Sequence, residues 1–128
     1  MNFLNRLEID RQMAYTNMET AFRELKKRGT NEQNFADYKK IVNTSTQTFQ
    51  SCNDRITILK NHQDTSTEAF QILQSILTAE EELLSLTAAH QLARENVDEQ
   101  EISEYSGKIK STKETLISLY TDLKHEYF

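Results

Sequence analysis

The sequence predicts an all-α fold, an antiparallel up-and-down four-helix bundle with coiled-coil-like heptad packing. Three observations point to it. Proline is absent and glycine occurs only at Gly29 and Gly107, so the chain carries almost no helix breakers. Apolar residues recur in four long stripes at steps of three and four, the spacing that lines one side of a helix. β-Branched residues show no sustained alternation of period two, so no strand is expected. The 128 residues read as one domain, long enough to bury roughly two thirds of the surface exposed when unfolded.

The first helix is expected over about residues 3–28, with Leu4, Leu7, Ala14, Met18, Ala21 and Leu25 at heptad spacing and Tyr15 and Phe22 widening the stripe. Arg11 interrupts it and should either carry its head to water or pair with a carboxylate. Lys26, Lys27 and Arg28 complement the carboxyl-end dipole, and Gly29 follows as a C-cap. Thr30 with Gln33 reads as a capping box opening a second helix, about 31–61. Its seam is the most regular in the chain: Phe35, Tyr38, Val42, Ser45, Phe49, Cys52, Ile56 and Leu59. So narrow a seam faces one groove, which places this helix at the periphery.

Asn61 to Asp64 break the pattern, and Thr65 with Glu68 forms a further capping box before a third helix, about 66–94. Two seams run along it side by side. One is Ala69, Ile72, Ile76, Ala79, Leu83 and Leu86; the other is Phe70, Leu73, Leu77 and Leu84. Together they exceed the roughly 100° that one partner can cover, so this helix is expected at the bundle centre. Glu80, Glu81 and Glu82, with Gln74 and Gln91, should form its solvent face. Asn96 or Asp98 then caps a fourth helix, about 98–127, with Ile102, Tyr105, Ile109, Thr112, Leu116, Leu119 and Leu123 on its seam. Gly107 within it costs about 1 kcal/mol relative to alanine.

The same residues argue against several functions. A single cysteine, Cys52, excludes an internal disulfide, and its heptad position reads as a small buried hydrophobe. No cysteine–histidine cluster suggests zinc, and neither a secretory signal nor a membrane span is expected, which favours an intracellular location. The sequon at Asn43 is then accidental. The three histidines, His62, His90 and His125, are scattered, and the paired Glu-x-x-His pattern of di-metal bundles is missing; Asp122 with His125 is a single approach to it. Without a phosphate loop or nucleophile elbow, no enzyme, no cofactor, no metal and no small-molecule substrate is expected. The net charge of −5 opposes direct nucleic-acid binding. The one basic concentration is Arg23, Lys26, Lys27, Arg28, Lys39 and Lys40. In a bundle it should be neutralised by Glu95, Asp98, Glu99, Glu101 and Glu104.

What remains is a surface for protein partners in a larger complex. The candidates are an aromatic tail of Tyr120, Tyr127 and Phe128, the acidic face around Glu81, and the off-seam residues Ile9, Met13, Ile58 and Ile117. Arg11-x3-Tyr15 with Phe22, then Tyr38, Thr46-x2-Phe49 and Ile56-x2-Leu59 form part of a recognisable pattern. It continues through Leu73-Gln74, the run from Glu80 to Thr87, and Gln91-Leu92-Ala93. Over about Leu7 to Arg94 the chain resembles the required-for-excision, type B, DNA-repair domain family. The resemblance implies a role in excision repair of DNA with no known catalytic residues to carry over, hence a non-catalytic adaptor or scaffold in a nuclear or cytoplasmic assembly. The alternative is a structural helical subunit of a cytoskeletal or ciliary assembly such as an axoneme; a tubulin-folding cofactor is a third, for which no motif is present.

Overall fold

The computed structural model describes the backbone of residues 3–127 and the side chains of residues 3–126. It is all-α: α1 (Phe3–Arg28), α2 (Glu32–Asn61), α3 (Glu68–Glu95) and α4 (Glu99–Tyr127). The described residues include no strand. The helices fall into two compact units, residues 1–55 and residues 56–128, and α2 runs through the boundary. Each unit is built on a hairpin of sequential helices, the neighbour pairs from which an up-and-down four-helix bundle is made.

In the first unit, α1 and α2 run antiparallel. Leu7 faces Cys52, whose Sγ lies 4.0 Å from the Leu7 carbonyl oxygen; Tyr15 meets Phe49 with ring centroids 4.3 Å apart; Phe22 meets Tyr38 edge-on at 6.3 Å. Partner numbers fall along α2 as they rise along α1. The buried positions of α1 are the predicted stripe together with Arg11. Arg11 is only 4% exposed, so its head is engaged within the protein rather than carried to solvent. Of the eight residues expected on the α2 seam, Ser45, Phe49 and Cys52 are buried in this unit and Ile56 in the second, whereas Tyr38, Val42 and Leu59 are half-buried and Phe35 is exposed. Thr44, Thr46 and Thr48 each donate their hydroxyl to the carbonyl four residues back, which satisfies them within the helix.

In the second unit, α3 and α4 pack closely along one another. Leu73, Ile76, Leu83, Leu116, Tyr120 and Leu123 are completely buried. Each such side chain contributes about 1.5–3 kcal/mol relative to exposure. The buried arc of α3 is wide, as its double seam predicts. It also includes Glu80, at 4% exposure, which corrects the expected solvent face. Three successive glutamates sweep about 200° around a helix, so one of them had to turn inward. Glu80 is the one four residues after Ile76 and three before Leu83, and it is engaged there. Glu81, Glu82 and Gln74 are exposed; Gln91 is half-buried.

The helix ends reveal local chemistry that the sequence reading placed a residue or two away. Gly29, at φ +91°, closes α1 by donating its N–H to the Leu25 carbonyl at 3.0 Å. The cap of α2 is Asn31, not Thr30: Asn31 Oδ1 accepts the Asn34 N–H at 2.8 Å, while Asn34 Nδ2 reaches back to the Gly29 carbonyl. Gln33 bonds forward to Asp37 instead of closing a capping box. Thr67, not Thr65, caps α3 and accepts the Phe70 N–H. Ahead of it Asp64 takes both the N–H and the hydroxyl of Ser66, and the backbone bond first and the hydroxyl second hold its carboxyl below the usual value.

At the end of α3, the Asp98 N–H reaches the Ala93 carbonyl and the Val97 N–H the Arg94 carbonyl, the paired bonds of a Schellman cap. Its left-handed position is filled by Val97, at φ +52°. Asp98, one of the two expected caps, then caps α4 by accepting the Glu101 N–H.

Candidate functional site

The predicted docking residues divide sharply. Tyr120 is completely buried and is corrected from tail to core: it follows Leu116 by four residues and precedes Leu123 by three, so it shares their stripe. Phe128 and the side chain of Tyr127 lie outside the described residues. Glu81 is exposed, as are Ile9, Met13, Ile58 and Ile117. His62 and His125 are exposed and His90 is half-buried, while Cys52 is buried. Among the described residues, no three His, Cys, Asp or Glu side chains come together where they could hold a metal ion. No described helix is long and apolar enough to cross a membrane.

Charge is distributed unevenly between the two units. Residues 1–55 hold nine basic and seven acidic side chains, whereas residues 56–128 hold six and thirteen, so the whole-chain value of −5 conceals a first unit of +2 and a second of −7. Lys26, Lys27, Arg28, Lys39 and Lys40 are all exposed in the first unit. Part of this basic pole is neutralised from within α1: Arg23 pairs with Glu19 at 3.1 Å and Arg28 with Glu24 at 3.3 Å. The acidic residues expected to neutralise it belong to the second unit. Lys26 Nζ stands 5.8 Å from the centroid of the Phe22 ring. Among the described residues, Lys27, Lys39 and Lys40 form no ion pair.

Two open features border this pole. On one flank a groove of about 690 Å³ lies between α1 and α2, floored by Ala21, Leu25, Tyr38 and Ile41, with Glu24, Arg28, Asp37 and Lys40 among its lining. Its charges cancel. A smaller groove of about 430 Å³ shares Asn17, Thr44 and Ser45 with it and has Asp10 and Arg55 in its wall, a pair 3.8 Å apart. The start of the α2 seam, which shares Tyr38 with the first groove, is only partly covered. No α2 residue before Ser45 is buried; Tyr38 and Val42 are half-buried and Phe35 is 46% exposed. Phe35 leans on Tyr38 with centroids 6.3 Å apart, and Tyr38 on Phe22, so the exposed ring is backed by two others. Lys39, one turn after Phe35, shares its side of the helix.

Heptad spacing missed this open half, because it identifies an apolar seam without showing how far the facing helix covers it. The family model described as DNA repair REX1-B matches residues 2–94, which include α1, α2 and nearly all of α3. No curated protein and no solved structure matches the chain.

Proposed function

The chain belongs to the DNA repair REX1-B family, and from that premise we propose that it is a non-catalytic adaptor docking through a helix face into a DNA-repair assembly. The uncovered start of the α2 seam carries this reading: Phe35, Tyr38 and Val42 keep the spacing of a packing surface, yet α1 leaves them partly open. They lie inside the residues matched by the family model. An apolar stripe at steps of three and four is what one helix offers another, and exposed aromatic anchors supply much of the binding energy at interfaces.

The test is complementation in cells that lack the protein and are challenged with DNA lesions removed by excision. The intact chain should restore survival. Phe35→Asp should fail while accumulating to normal levels, and Glu81→Ala should succeed. Full rescue by Phe35→Asp would reject the seam as the working surface.

A further inference from the structure

We propose that Thr65, in the turn between α2 and α3, is a phosphorylation site for an acid-directed serine/threonine kinase. Thr65 lies in the second unit, so this site is independent of the docking surface on the first. Such a kinase holds its substrate segment extended and reads charge, taking a carboxylate three residues after the acceptor into a basic pocket. Five hydroxyl residues have Asp or Glu at that distance: Thr16, Ser51, Thr65, Thr78 and Ser111. Four of them lie inside helices, one in each of α1, α2, α3 and α4, where the backbone is committed to helical hydrogen bonds. Thr65 alone lies outside. Asp64 directly precedes it, Glu68 stands three residues on, and no lysine or arginine occurs between Lys60 and Arg94.

The turn also leaves this hydroxyl available. Ser66 donates its hydroxyl to the Asp64 carboxylate at 2.9 Å, and Thr67 donates to the Asp64 carbonyl at 2.7 Å while accepting the Phe70 N–H. Thr65 contributes its carbonyl, to Gln71 Nε2, whereas its hydroxyl forms no hydrogen bond among the described residues and the side chain is exposed. Glu68 is exposed and is the first residue of α3, an end that opens at little cost, so the segment from Asp64 to Glu68 can extend without unfolding a helix interior. In the transfer, the bond from the terminal phosphorus of ATP to the ADP oxygen breaks, a bond from that phosphorus to Thr65 Oγ1 forms, and the hydroxyl proton passes to the kinase's catalytic carboxylate. The new phosphate precedes α3, at the end of the helix that favours negative charge.

The full chain incubated with ATP and a casein-kinase-type, acid-directed enzyme, followed by peptide mapping, provides the test. One phosphate should appear, on Thr65. Thr65→Val should abolish it and Thr65→Ser should retain it, with helicity of each variant checked by circular dichroism. Glu68→Gln should lower kcat/KM for the transfer about tenfold, whereas Glu81→Gln, which removes the corresponding carboxylate of helical Thr78, should leave it unchanged. Protein recovered from cells under phosphatase inhibition should carry the same phosphate. Absence of incorporation, phosphate mapped to Ser51, Ser66 or Ser111 instead, indifference to Glu68→Gln, or an unmodified Thr65 in the protein from cells would each overturn the proposal.

Discussion

Replacing Val97 with glycine should stabilise the protein. Val97 occupies the left-handed position of the cap that ends α3, at φ +52°, where a β-branched side chain is strained. Holding an L-residue there costs about 1–2 kcal/mol, and glycine is released from that cost. Two losses oppose the gain. Glycine adds about 0.5–1 kcal/mol of unfolded-state entropy. Little burial is forfeited, since Val97 is 75% exposed. The balance is roughly 0.5–1 kcal/mol in favour of Val97→Gly, or an increase in Tm of about 2–4 °C for a chain of this size. Gly29 supplies the reciprocal experiment, because it fills the equivalent position after α1 at φ +91° and a Cβ there would meet nothing within 4 Å. Gly29→Val should therefore destabilise through the backbone alone, by about 0.5–1 kcal/mol once the same unfolded-state entropy is counted. Thermal melts of both variants decide the matter. A lower Tm for Val97→Gly, or an unchanged Tm for Gly29→Val, would refute the strain argument.

Other outcomes follow from the same structure. Gly107→Ala should stabilise by about 1 kcal/mol, because Gly107 is exposed inside α4 and an added Cβ meets no atom within 4 Å; a destabilised variant in chemical denaturation would contradict this. Leu83→Ala and Phe49→Ala should each cost roughly 2–5 kcal/mol, against less than about 0.5 kcal/mol for exposed Glu81→Ala, and equal small losses at all three would deny the cores described. Asp64 titrates below its ordinary value of 3.8 because of its bonds to Ser66. Its contribution is therefore present above that value and is lost as pH falls through the lower folded-state value. The stability gap between wild type and Asp64→Asn should be constant near neutrality and close on acidification; a gap that widens in acid would reverse the sign.

Helix number and type were legible in the sequence because four stripes and two glycines leave few other folds. Boundaries were less so: Thr30 and Thr65 looked like caps, but Asn31 and Thr67 took the role, since several neighbouring side chains there could each accept the same backbone N–H. Glu80 and Tyr120 were misplaced because polarity was weighed above angular position; both lie where the helix turns inward whatever their chemistry. The basic pole was legible as residues, whereas its division into paired arginines and unpaired Lys27, Lys39 and Lys40 depended on rotamers that spacing does not specify. The open seam was the least legible, because spacing marks Phe35, Tyr38 and Val42 as packing positions without showing how much of each side chain the facing helix covers.

Photocrosslinking from position 35 tests the central claim most directly. A photoreactive phenylalanine analogue placed at Phe35 in cells under excision-type damage should form protein adducts. None of the same size should form from the exposed position Ile117. Adducts to nucleic acid from position 35, or the same protein adducts from both positions, would contradict the account.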